Sequence, residues 1–242
     1  TPVGLMGGEP YRIMELTPYV GASKATSSVI LYVMMHIFSH FCFWFFSIFL
    51  YLALRPVDIA MGTILAVVGA VSLLAIYFFM KGYKNGMAVR TLKLLQHIPF
   101  IKEWAKRFSE NKREALERVD SQIAELHKQR RSTFYASLSL EFMARIIGCL
   151  EVYFILNILT TDVSFPACIL IMAFTSLFAN LFFFSPMQLG AREGGFALAV
   201  GGLAIPGAFG VYTGLITRVR ELIWIVIGVL LMKVGNGTPA NK

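Results

Sequence analysis

Apolar residues in this chain come in long blocks rather than in the short alternating runs of strands. Residues 27–54 contain no Asp, Glu, Lys or Arg, and 59–80 and 165–184 form two further apolar blocks. A helix of about twenty apolar residues crosses the hydrocarbon of a bilayer. The pattern predicts spans at 27–54, 59–80, 133–160, 165–184 and 209–232, and hence an all-α polytopic membrane protein with about five spans. Polar breaks separate them: Arg55-Pro56-Val57-Asp58, where Pro cannot continue a helix, then Lys81–Gly86, Thr161–Ser164 and Pro206-Gly207.

Two stretches do not fit a plain succession of spans. Residues 1–26 carry Pro2, Gly4, Gly7, Gly8, Glu9, Arg12, Glu15, Pro18, Gly21 and Lys24, and are too polar for an ordinary span. The second stretch is Ser185-Pro186-Met187-Gln188-Leu189-Gly190-Ala191-Arg192-Glu193-Gly194-Gly195, set between apolar block 165–184 and the ten-residue run Phe196–Ile205. A charged side chain at the bilayer centre costs roughly 2.5–3.5 kcal/mol on insertion scales. A ten-residue run is too short to span, so 185–207 is expected to be a re-entrant or broken helical segment facing protein or a wet cavity.

Composition sharpens the class. Of 242 residues 57% are hydrophobic and 15% charged, against about 25% charged in an average soluble domain. The net charge of +8 is concentrated in residues 81–131, where thirteen Lys/Arg face six Asp/Glu. The positive-inside rule accounts for this as a cytoplasmic loop, so nucleic acid is not the expected partner. Within it, Phe108, Ala115, Leu116, Val119, Ile123 and Leu126 recur at helical steps over 102–131. That is an amphipathic helix for the anionic inner leaflet, or for packing on the bundle or another chain. Cys42, Cys149 and Cys168 lie in apolar runs without paired spacing and read as buried hydrophobes, not disulfides or metal ligands. The chain opens Thr1-Pro2 inside a motif, so residues are expected upstream.

The two polar stretches are alike. Pro2 and Glu9 are seven apart, as are Pro186 and Glu193; Gly21-Ala22 and Gly207-Ala208 then lead into long apolar helices. Internal repeats with broken helices are a common way to build a central transport site. Three regions follow: a first repeat over 1–80, the basic loop 81–131, and a second part over 132–242. The run Pro186-x-x-x-Gly190-x-Arg192-Glu193-Gly194, with its Gly-rich sequel and an Arg-bearing helix, resembles the lysylphosphatidylglycerol synthase transmembrane-region family, and Gly7-Gly8-Glu9-x-x-Arg12 looks like its first-half motif.

That resemblance implies pseudo-symmetric helical halves with re-entrant segments and a role in moving lipids between leaflets, in a bacterial plasma membrane. It implies no cofactor and, with no synthase domain after residue 242, no enzyme activity of its own. Tyr32 stands where alignment with Arg218 would place a basic residue, and the upstream spans of the family are absent here.

The candidate headgroup-binding residues are Glu9, Arg12, Gln188, Arg192, Glu193 and Arg218. A guanidinium offers a two-pronged donor to a lipid phosphate, and amides at a helix start add positive potential. The bland alternative for Arg192 and Glu193 is a structural ion pair that pins the hairpin. Arg218 and Glu221, three apart, read as a self-satisfied pair or a second phosphate contact. Glu141 and Arg145, four apart, read as a neutralised pair, whereas Glu151 has no partner on its own helix and is a candidate for proton coupling. His36 and His40 share a face, but no zincin pattern surrounds them, so packing or a polar contact outranks metal. The expected partners are membrane lipids with anionic headgroups, with a homo-oligomer or a lipid-modifying enzyme as further partner. A membrane accessory subunit of lipid-linked glycan or lipid modification is the alternative function.

Overall fold

The computed structural model describes residues 8–85, 131–160, 163–182 and 188–235. Pro2, Ser185-Pro186-Met187 and all of the expected 102–131 helix but Arg131 lie outside them. The elements among the described residues are all helices: α1 (Glu9–Val20), α2 (Ala22–Leu54), α3 (Ile59–Asn85), α4 (Arg131–Leu159), α5 (Phe165–Leu181), α6 (Ala191–Gly201) and α7 (Gly207–Gly235). Three are long and apolar enough to cross a membrane: α2, the Ile59–Lys81 part of α3, and the Ser132–Leu159 part of α4. At 17 residues α5 is an apolar helix about 25 Å long, a little short of a full hydrocarbon core. The 29-residue α7 is long enough but carries Arg218, Arg220 and Glu221 in its first half. The chain is an all-helical polytopic membrane protein.

The chain divides into two compact units, Thr1–Gly148 and Cys149–Lys242. In the first, α1 and α2 meet at Gly21, whose φ of 83° and ψ of 151° fall in a region that only glycine enters freely. The Gly21 N–H closes α1 on the Thr17 carbonyl at 2.9 Å, and α2 starts at the next residue. The core of this unit is Met35, Phe38, Phe79 and Phe134, with the Phe38 and Phe79 rings stacked 4.1 Å apart. Hydroxyls inside α2 are satisfied locally: Ser27 donates to the Ser23 carbonyl and Ser47 to the Phe43 carbonyl, at 2.9 and 2.7 Å.

The second unit is built on the end of α4 together with α5, α6 and α7. Asn157 Nδ2 donates to the carbonyls of Tyr153 (2.9 Å) and Val163 (3.0 Å), tying the end of α4 to the chain entering α5. Ser164 caps α5 by accepting the Ala167 N–H, with Pro166 in the first turn. Val152, Leu156, Cys168, Ile171, Phe196 and Val200 close the core between α4, α5 and α6.

The turn from α6 to α7 is a Schellman motif: the Ile205 N–H reaches the Val200 carbonyl at 3.3 Å and Ala204 N–H the Gly201 carbonyl at 3.1 Å. Ala204 takes the left-handed position with φ 61°, and Pro206 follows, so the helix cannot continue. The returning α7 runs antiparallel to α6, with Gly210 opposite Phe196 and Ala197 and Gly214 opposite Glu193. This small-x-x-x-small spacing is the usual device for bringing membrane helices to backbone contact. On the other side of α6, Gly195 lies against the backbone of Thr175 in α5. In the later part of α7, Leu222, Ile223, Trp224, Ile225, Val226, Leu230 and Leu231 are exposed. An apolar surface of this kind is suited to lipid as solvent.

Candidate functional site

Charge is drawn to the α6–α7 hairpin because α6 begins with Arg192 and Glu193 and α7 passes back over them. Gly190, φ 78°, sets the chain's entry into α6. Its N–H donates to Glu193 Oε2 at 2.9 Å, so the carboxylate caps its own helix. The other oxygen, Oε1, accepts from Arg218 Nη2 at 3.0 Å. Gly214, one turn before Arg218, leaves no side chain between the helices there; a Cβ would lie 3.2 Å from Glu193 Cα. The short helix, the glycine and the arginine together fix this contact.

The network extends from there. Arg218 Nη1 lies 3.6 Å from Glu221 Oε2, and Glu221 Oε1 accepts from Arg192 Nη1. Arg218 Nη2 also approaches the Gln188 carbonyl at 3.5 Å, so Gln188 contributes through its backbone. Two arginines and two glutamates make the group formally neutral. Its members differ in access: the Arg218 and Glu193 side chains are 13% and 15% exposed, those of Arg192 and Glu221 25% and 33%. Glu193–Arg218 is the buried pin of the hairpin, and Arg192–Glu221 is the more exposed pair. Burial pushes the Glu193 carboxyl up, but its own amide, Arg218 and the Gly190 amide outweigh burial and hold it below its ordinary value.

Of the predicted site residues, Gln188, Arg192, Glu193 and Arg218 come together. Glu151 meets Arg220 of α7, with Oε2 2.9 Å from Nη1. In the first unit, Glu9 Oε2 accepts the Gly8 N–H at 3.2 Å at the start of α1, and the Arg12 guanidinium lies over the Tyr32 ring at 4.8 Å. The position that lacks the aligned arginine is thus contacted by the arginine of its own short helix. Glu221, expected only beside Arg218, also meets Arg192, and Arg220 is the partner of Glu151 that the sequence did not point to. The signal for the first was the Gly210-x-x-x-Gly214 face, which brings α7 against Glu193.

The pair read as Glu141 with Arg145 is part of a wider cluster. Glu141 Oε2 lies 3.6 Å from His36 Nδ1, while Arg145 reaches Ser39, His40 and His36 on α2. The two histidines thus make polar contacts. Among the described residues no group of three or more His, Cys, Asp and Glu is placed to hold a metal ion.

The family model described as the lysylphosphatidylglycerol synthase TM region matches residues 1–228, so the chain belongs to that family. No curated protein and no solved structure matches it. The membership makes this an integral membrane protein of lipid-related function.

Proposed function

We propose that this chain moves phospholipid, aminoacylated or lipid-linked headgroups between the leaflets of a bacterial plasma membrane, acting as a flippase-like translocase rather than an enzyme. The observation that carries the reading is the half-accessible Arg192–Glu221 pair beside the buried Glu193–Arg218 pin. An arginine fork binds carboxylate and phosphate with the same geometry, so a lipid phosphate can displace Glu221 from Arg192 without dismantling the hairpin. The α6 amides beside it add positive potential. Gln188, Arg192, Glu193 and Arg218 form this site, and Glu9 and Arg12 serve the headgroup in the N-terminal motif. Two parallels support a duplicated, re-entrant architecture: α1 and α6 are 12 and 11 residues long, and each precedes a much longer helix. The charge of 81–131 supports a cytoplasmic placement for that segment. Glu151 is held by Arg220, so a proton-coupling role there requires that pair to open.

Lipid retention on the purified full chain, read by native mass spectrometry, tests the site. Wild type and Gly228→Ala are expected to keep bound phospholipid. Arg192→Ala is expected to lose it by roughly tenfold, the worth of one charge-assisted hydrogen bond. Equal retention by Arg192→Ala removes the headgroup from this site and turns the reading to the accessory-subunit alternative.

A further inference from the structure

His36 and His40 bracket the middle of α2, Ala22–Leu54, and Arg145 is the middle residue of α4, Arg131–Leu159. A cation at that depth needs acceptors, and Arg145 has four on α2. Ser39 Oγ lies at 2.7 Å, the His36 carbonyl at 2.9 Å, His40 Nδ1 at 3.1 Å and His36 Nδ1 at 3.4 Å. The Ser39 hydroxyl donates its own hydrogen bond to the His36 carbonyl at 2.8 Å. A guanidinium only donates, so both Nδ1 atoms accept and both imidazoles carry their proton on Nε2.

This leaves one juxtaposition that the cluster does not resolve. The lone pair of His36 Nδ1 faces a second acceptor, Glu141 Oε2, at 3.6 Å. A proton on Nδ1 would convert that repulsion into a charge-assisted N–H···O contact. The interaction given up would be the longest of these four contacts with α2, and Ser39, His40 and the His36 carbonyl would keep the guanidinium in place. The His36 and Glu141 side chains are 41% and 26% exposed, so neither is sealed inside the helix packing.

We propose that His36 is an intramembrane proton-binding site, at which one proton on Nδ1 moves the imidazole's contact from Arg145 to Glu141. The ligand is the proton itself, and the consequence is a pH-dependent choice between two contacts of α2 with α4. Among the described residues, the other titratable or charged groups facing it are few. On α1, Arg12 lies over Tyr32, whose ring stacks on His36 at 6.1 Å; on α2 there are Tyr32 and His40.

The test is ring-nitrogen NMR of histidine-labelled full chain in lipid nanodiscs, titrated from alkaline to acid pH. The four histidines, His36, His40, His97 and His127, are told apart by single His→Gln variants. The expected result is Nε2–H tautomers for His36 and His40 at alkaline pH, with His36 gaining a proton on Nδ1 on acidification. Glu141→Gln is expected to lower the His36 midpoint by about one pH unit, a tenfold loss of proton affinity, and Arg145→Gln to raise it. An Nδ1–H tautomer of His36 at alkaline pH overturns the proposal. So does a midpoint unmoved by Glu141→Gln in a variant of wild-type helicity. If Arg145→Gln does not fold, the wild-type tautomer and the Glu141→Gln midpoint decide.

Discussion

Gly210→Ala is the sharpest single perturbation of the hairpin that presents the site. A Cβ built at Gly210 would lie 2.5 Å from the Phe196 oxygen, 2.6 Å from its carbonyl carbon and 2.7 Å from Ala197 Cα. Ordinary contacts begin near 3.4 Å, so α6 and α7 must separate by about 1 Å, and a gap of that size forfeits a quarter to a half of the dispersion well along the seam. All three atoms are backbone, so no side-chain rotation relieves the clash. Overpacking costs about 1–3 kcal/mol, and the absence of relief places this substitution at the upper end. At 2–4 °C per kcal/mol for a chain of this size, the unfolding midpoint should fall by roughly 6–12 °C. The assay is thermal unfolding in detergent followed by circular dichroism, with Gly228→Ala beside it. A Cβ at Gly228 meets nothing within 4 Å, and alanine is the better helix former by about 1 kcal/mol, so that variant should hold or gain. A Gly210→Ala midpoint equal to that of wild type would refute the backbone contact between α6 and α7.

Further outcomes follow from the same geometry. Gly214→Ala, which presses on Glu193 at 3.1–3.2 Å, should cost less stability than Gly210→Ala yet weaken phospholipid retention, by loosening Glu193 from Arg218. Glu193→Gln should destabilise by about 1–3 kcal/mol, since it weakens the charge-assisted bond to Arg218 while Glu221 and the Gln188 carbonyl remain beside that guanidinium. Because the folded Glu193 carboxyl lies below its ordinary value, its stabilisation is present above the unfolded value of about 4.3 and is lost as pH falls through the lower folded one; pH-dependent unfolding of wild type should show that acid loss, and Glu193→Gln should lack it. Asn157→Leu should cost about 1–3 kcal/mol in chemical unfolding by orphaning the Val163 carbonyl.

The long helices were the legible part of this sequence, three of them long and apolar enough to cross a membrane. The expected 27–54, 59–80, 133–160, 165–184 and 209–232 correspond to α2, α3, α4, α5 and α7, with ends differing by at most five residues, because uncharged apolar length is what a bilayer selects. The short α1 and α6 were harder to read. Glycine, proline and charge hide their helical character, and α6 begins at Ala191, ahead of the apolar run that starts at Phe196. That Arg192, Glu193 and Arg218 are unusual was legible, because charge between apolar blocks is conspicuous. Their partners were not: Arg192 meets Glu221 across 29 positions and Arg145 meets Ser39 across 106. Periodicity within one helix does not report the register between two. His36 and His40 were correctly weighed as polar contacts, but their cation lies on a helix remote in sequence.

The most direct test of lipid translocation is leaflet exchange of fluorescent phospholipid in liposomes reconstituted with wild type, Arg192→Ala and Gly228→Ala. Wild type and Gly228→Ala should exchange lipid, and folded Arg192→Ala should do so at least tenfold more slowly. Absence of exchange by the folded wild type with anionic, zwitterionic and aminoacylated lipids alike would contradict translocation.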